Sequence, residues 1–213
     1  MIRKKYIAAS LCYFAAFILW TLAVSRYHVL PIGPLGSSVG FAGANSLFHE
    51  LTGVNLWLYH LTDMLSLIPA LFILGFASLG ILQWMRRKSP LKADPSILAL
   101  GGIYLLTFSC YVFFEYCVIN YRPVLIEGIL EASYPSSTTV FVICVMGTAA
   151  LELKQRITDR RLRRWMWFMT HTFTVLMVVG RTLSGVHWLT DIIGGILLSA
   201  GLVTLYAAFV TSP

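Results

Sequence analysis

The feature that most constrains this chain is a recurrence of apolar runs about twenty residues long, the length needed to cross about 30 Å of hydrocarbon. Six can be read, at about 6–24, 57–85, 96–119, 136–153, 165–183 and 188–210. Strands of a transmembrane barrel would alternate in polarity, and these runs do not. With no water in the bilayer core, each backbone N–H and C=O must be satisfied within its own segment, which leaves helices. The expected fold is all-α: a six-transmembrane-helix bundle, one domain over residues 1–213, with both termini cytoplasmic. Composition agrees, since 58% of residues are hydrophobic and only 12% charged, whereas a soluble domain carries about 25% charge. The second run is long enough to include a tilted or interfacial portion.

A net charge of +7 raises a nucleic-acid reading, and the placement of the charge rejects it. Of 16 Lys and Arg, 13 fall in three places: Arg3, Lys4 and Lys5; Arg86, Arg87, Lys88 and Lys92; and Lys154, Arg156, Arg160, Arg161, Arg163 and Arg164. With six spans these lie on one side, which the positive-inside rule assigns to the cytoplasm. Arg26, Arg122 and Arg181 remain for the opposite face. The basic start and "TLAVS" also fit a cleaved signal, but the apolar run exceeds the usual core of about 7–15 residues. Cys12, Cys110, Cys117 and Cys144 lie in apolar runs without metal-ligand spacing and are expected to be ordinary buried thiols.

Residues 25–56 form the longest segment outside the spans, punctuated by Pro and Gly. A short interfacial helix is expected near 38–51. The segment reads either as a surface loop or as a lid or entry for a lipid head group.

Chemistry is expected where three polar stretches meet the outer interface: "NYRPV" (120–124), "YPSSTT" (134–139) and "GRTLSGVHWLTD" (180–191). His187 and Asp191 are four apart and share a face on a helix. An aspartate holding one imidazole nitrogen fixes the tautomer and frees the other. The fork of Arg181 suits a phosphoryl group. Pro135 suits the first turn of a helix, Ser136 and Ser137 can cap it, and the free amides there form an anion site. Taken singly, each feature also reads as an ordinary capped helix or an interfacial anchor.

Together these stretches resemble the type-2 phosphatidic acid phosphatase superfamily, whose signature runs Lys, six residues, Arg-Pro; Pro-Ser-Gly-His; and Ser-Arg, five residues, His, three residues, Asp. Arg122-Pro123, Pro135-Ser136, Arg181, His187 and Asp191 match at the family's internal spacing. The core motifs span 115–191. The resemblance implies a membrane lipid phosphatase in which His187 is the nucleophile, forming a phosphohistidine, and Asp191 orients it. Arg122, Arg181 and the amides near Ser136, Ser137 and Thr138 would hold the phosphoryl oxygens. It implies no cofactor and no metal, because the arginines and amides supply the positive field.

Four signature positions differ: Glu115 stands at the lysine, Ser137 at the glycine, Thr138 at the histidine and Gly180 at the serine. Thr138 removes the usual proton donor, a loss of about 10²–10⁴-fold. An alcohol leaves poorly, with a pKa near that of water at about 16. A phosphate monoester, with its second pKa near 6, leaves a diphosphate almost unaided. A lipid or polyprenyl diphosphate is therefore the expected substrate. Glu115 reads as a substitute acid, as a partner of Arg122 two turns along one helix, or as a contact for a cationic head group. Lipid head-group transfer and a non-catalytic lipid-binding role are the alternatives to hydrolysis. A transport role would need more deep polar residues than Asp63, Thr107 and His171. The expected partners are a lipid substrate and the bilayer, with no nucleic acid. The expected location is the plasma membrane, with the site extracytoplasmic.

Overall fold

A computed structural model describes residues 2–211. Eight α-helices follow in order: α1 (Ile2–Arg26), α2 (Ala42–Thr52), α3 (Leu56–Leu65), α4 (Leu67–Arg87), α5 (Pro95–Tyr116), α6 (Ser137–Arg156), α7 (Arg160–Leu183) and α8 (Leu189–Val210). Two short 3₁₀ helices, Pro34–Gly36 and Pro90–Lys92, and isolated β-bridges accompany them among the described residues.

Five segments are long and apolar enough to cross a membrane: α1, α3 with α4, α5, α6 and α8. The expected fifth span, α7, has 24 residues but falls short in apolarity. Thr170, His171, Thr172, Thr174 and Arg181 interrupt it after four arginines in its first turn. The long second run is two helices meeting at Ser66. Pro69 accounts for the break, because it cannot donate to the preceding turn and its ring crowds the carbonyl four residues back.

α8 sits centrally, flanked by α1 and α6, and α7 packs on α6 and α3. Its small residues let neighbours approach, as expected for helices that associate without a hydrophobic drive. Ser10 donates to the Gly201 carbonyl at 2.9 Å and Ser199 to the Val140 carbonyl at 3.4 Å. A Cβ at Gly194 would lie 2.6 Å from the Tyr134 ring, so glycine there makes room for that buried side chain. Leu71, Leu74, Leu105, Phe108, Leu176 and Phe209 are exposed, an apolar exterior suited to lipid. All four cysteines are free. Cys144 is buried as expected, but Cys12 and Cys117 face outward.

The expected basic clusters fall at the start of α1, at the α4–α5 turn and at the α6–α7 turn. Asp94 ties the last two together through Arg87 and Arg156, both at 3.0 Å. The C-termini of α5 and α7 and the N-termini of α6 and α8 therefore meet at the other end.

Segment 25–56 is not a plain surface loop. It contains α2, near the expected 38–51 helix, and it braces the site. Asn45 donates to Thr190 Oγ1 at 3.0 Å, and its own Oδ1 accepts from the Thr190 amide at 3.3 Å. Asn55 caps α3 and donates its amide to the Ser184 carbonyl at 2.9 Å. Gly185, with φ +66°, lies so close to Gly53 that a Cβ there would overlap the Gly53 carbonyl.

Candidate active site

Between α5 and α6 the chain makes a hairpin the sequence reading did not anticipate. Ile126 and Ile129 exchange both backbone hydrogen bonds, at 3.1 and 2.9 Å, around Glu127 and Gly128. Both central residues have positive φ, 50° and 80°, as a type I′ turn requires. Tyr121 pairs with Ala132, and the Arg122 amide donates to the Glu131 carbonyl at 3.0 Å. Pro123 reinforces the extended backbone of Arg122. With side chains alternating along an extended chain, Asn120, Arg122, Glu131 and Ser133 project to one side.

That side meets the start of α8. Asp191 is buried and accepts four hydrogen bonds. Its Oδ2 takes Ser133 Oγ at 2.6 Å and the Trp188 amide at 3.0 Å; its Oδ1 takes Asn120 Nδ2 at 3.0 Å and Thr190 Oγ1 at 3.4 Å. His187 and Asp191 are brought together, but not into the direct hydrogen bond that their spacing suggests. The His187 Nδ1 to Asp191 Oδ2 distance is 4.0 Å, too long for one. Ser133 Oγ stands between them, 2.9 Å from Nδ1. The other ring nitrogen, Nε2, is buried without a partner among the described residues.

Two guanidinium groups flank one aromatic ring. Arg181 lies 4.5 Å and Arg122 5.7 Å from the Tyr59 ring centre, a cation–π arrangement. Arg181 is held by Thr62 Oγ1 at 3.3 Å, the Tyr59 carbonyl at 3.4 Å and Asp63 at 3.6 Å, while its Nε has no partner. Arg122 Nε lies 3.1 Å from Glu131 Oε2 without hydrogen-bond alignment, and its Nη1 is unpartnered. Burial, and then the positive fields of Arg122 and Arg181, hold the His187 imidazole well below its ordinary pKa of 6.5. The ring is neutral at neutral pH.

At the start of α6, Ser136 is the N-cap and Pro135 precedes it, so neither Pro135 nor Ser136 is in the first turn. The Ser136 hydroxyl accepts from Thr139 rather than from a backbone amide, and the Ser136 amide donates to the Asp191 carbonyl at 3.1 Å. The amides of Ser137 and Thr138 belong to the opening turn, where no intrahelical acceptor exists.

Both residues line a cavity of about 460 Å³. Asp63, Ser66, Glu115, Ser133, Ser137 and Thr138 supply its polar wall, and it continues about three turns along α5 to Tyr104 past Phe108 and Phe114. Glu115 is exposed on this wall, near Tyr111. α5 ends at Tyr116, so Glu115 and Arg122 do not share a helix, and the carboxylate beside Arg122 is Glu131 instead. His49 lies 5.4 Å from the Trp188 ring, and Trp188 Nε1 donates to the Tyr121 carbonyl at 2.8 Å, closing the top of the site.

Ser133, Asn120, Tyr59 and Asn45 were missed in the sequence. Ser133 and Asn120 had a faint signal, the Glu-Gly pair between apolar residues that marks a hairpin. Tyr59 and Asn45 had none.

The helical membrane fold gathers Arg122, Arg181, His187 and Asp191 at one end, and sequence comparison gives the class. The PAP2 superfamily profile matches residues 95–212, and the chain belongs to that superfamily. Among solved structures, the fold is similar to that of a transmembrane PAP2-type phosphatidylglycerolphosphate phosphatase from Bacillus subtilis. The TM-score is 0.59 at 18% identity, covering 94% of each chain. No curated protein sequence matches the chain.

Proposed function

We propose that this protein is an integral membrane phosphatase that hydrolyses a lipid-linked phosphate, with a lipid or polyprenyl diphosphate as substrate. The observation that carries this reading is a group of buried nitrogens without hydrogen-bond partners among the described residues, His187 Nε2, Arg122 Nε and Nη1, and Arg181 Nε; His49 Nδ1 is likewise unpartnered. Buried polar groups are normally satisfied, and here each guanidinium keeps free donors although it has one partly exposed carboxylate beside it, Glu131 for Arg122 and Asp63 for Arg181. A phosphoryl group supplies the missing acceptors for both arginines and an electrophile for the imidazole.

In the reaction, the lone pair of His187 Nε2 attacks phosphorus while the bond to the leaving oxygen breaks and its electron pair departs with the leaving group. Arg122, Arg181 and the Ser137 and Thr138 amides hold the equatorial oxygens. Positioning and charge stabilisation of this kind supply most of the catalysis in phosphoryl transfer. Water then attacks the phosphohistidine, the N–P bond breaks, and inorganic phosphate leaves. Thr138 is no acid, so the reading favours a leaving group that departs as an anion, and the phosphate of a diphosphate does so. The apolar cavity, which meets the site at Ser133, Ser137 and Thr138 and is not lined by His187, Arg122 or Arg181, accommodates part of a lipid chain.

For topology, the reading takes α7 as a sixth span, since its length matches the others and it packs against α6. The basic clusters are then cytoplasmic with both termini, and the site faces the exterior of the plasma membrane. Head-group transfer is the second reading, favoured by Asp63 and Glu115, carboxylates on the cavity wall able to face a cationic acceptor.

The test is detergent-purified protein against polyprenyl diphosphate and phosphatidic acid, with His187→Ala as control. Faster phosphate release from the diphosphate, abolished in the control, is expected. Equal turnover of both substrates would reject the leaving-group argument. Activity retained in the control would reject the mechanism, and label moving to an alcohol rather than to free phosphate would select transfer.

A further inference from the structure

Asp191 does not touch the imidazole it is expected to orient, and Ser133 fills the gap. We propose that Ser133 is a positioning residue that couples Asp191 to His187, fixing the Nδ1–H tautomer and passing the carboxylate's influence to the ring through its hydroxyl. This rests on the reading of His187 as the nucleophile and adds to that reading a residue that no part of the matching signature contains.

The hydrogen-bond inventory fixes the direction of the relay. An ionised carboxylate offers acceptor sites only, and each Asp191 oxygen already takes two donors. The Ser133 hydrogen, at 2.6 Å from Oδ2, therefore points to Asp191. A hydroxyl has one hydrogen, so at 2.9 Å the Ser133 oxygen can only accept from Nδ1–H. The ring proton is then on Nδ1 and the lone pair on Nε2, the nitrogen without a hydrogen-bond partner among the described residues. When Nε2 bonds to phosphorus the ring becomes cationic. Its Nδ1 proton then faces a hydroxyl polarised by a carboxylate, which stabilises that charge without any proton having to leave.

Ser133 is itself rigidly placed. It is buried, its amide donates to the Asn120 carbonyl at 2.9 Å, and Asn120 binds the other oxygen of Asp191. One hairpin thus grips both oxygens of the same carboxylate.

Two measurements test the relay. In the unaltered protein, ¹⁵N-imidazole spectra should show His187 as the Nδ1–H tautomer at neutral pH, and an Nε2–H ring would overturn the proposal. In kinetics with polyprenyl diphosphate, Ser133→Ala should lower kcat about 10²-fold with KM little changed, and Ser133→Thr, which keeps the hydroxyl, should recover part of the loss. In an Asp191→Ala background, Ser133→Ala should cost less than about threefold, because the relay is already broken. Losses that multiply, or wild-type kcat in Ser133→Ala while His187→Ala is inactive, would overturn the coupling and leave the nucleophile assignment standing. Activity retained in His187→Ala would instead remove the reading on which the coupling rests.

Discussion

This molecule holds two buried charged clusters, one at each end of the bundle, and they are built on opposite principles. At the basic end, Glu152 is buried yet fully engaged. It accepts from Arg156 Nε at 2.6 Å, from Ser96 at 2.9 Å and from Tyr206 at 2.5 Å. Arg156 continues to Asp94, which also binds Gln83 and Arg87. At the other end, Asp191 is equally well satisfied, but Arg122, Arg181 and His187 keep nitrogens without partners. A closed network holds helices together, whereas an open one keeps polar nitrogens free to meet a further group. The contrast separates architecture from chemistry without reference to any relative.

Four experiments break or sharpen that contrast, in order of expected effect. His187→Ala should abolish turnover, by on the order of 10⁶-fold if the imidazole is the nucleophile, with little change in melting temperature. Arg122→Gln or Arg181→Gln should each cost about 10²–10³-fold in kcat/KM with only a small loss of stability, because the carboxylates they pair with, Glu131 and Asp63, are partly exposed. Inorganic phosphate, as a mimic of the transferred group, should raise the melting temperature of the native protein and not of these variants. Glu152→Leu should do the reverse. Stability should fall by about 2 kcal/mol, discounted because Arg156 is partly exposed, while KM and the response to phosphate stay as they are.

The smallest effect concerns pH. The folded His187 pKa lies below that of the unfolded chain, so below pH 6.5 the unfolded state binds more protons and stability falls as pH falls. Between pH 7.0 and 5.5 the native protein should lose more stability in thermal melts than His187→Gln does. Equal losses would mean that the ring is not held neutral.

Much of this was legible beforehand, for identifiable reasons. Helices announce themselves through long apolar runs, and five met both length and composition. α7 was the exception, because its threonines, His171 and Arg181 lower its apolarity; only Thr170, Met177, Gly180 and Arg181 of it are buried. His187, Asp191, Arg122 and Arg181 were legible because spacing within a motif survives in one dimension. The direct His187–Asp191 bond and the Glu115–Arg122 pairing failed for a shared reason. Both assumed a continuous helix, and in the structure His187 precedes α8 while α5 stops before Arg122.

Local chemistry, written in the order of residues, was enough to establish a helical membrane protein, its charge asymmetry and the motif side chains Arg122, Arg181, His187 and Asp191. It could not reveal that Ser133 stands between His187 and Asp191, that Tyr59 lies beside both arginines, or that α2 braces the site. Those relations join residues 54, 58, 63, 122 and 145 positions apart. No periodicity encodes such distances, because they arise only when packing brings separate segments within a hydrogen bond of each other.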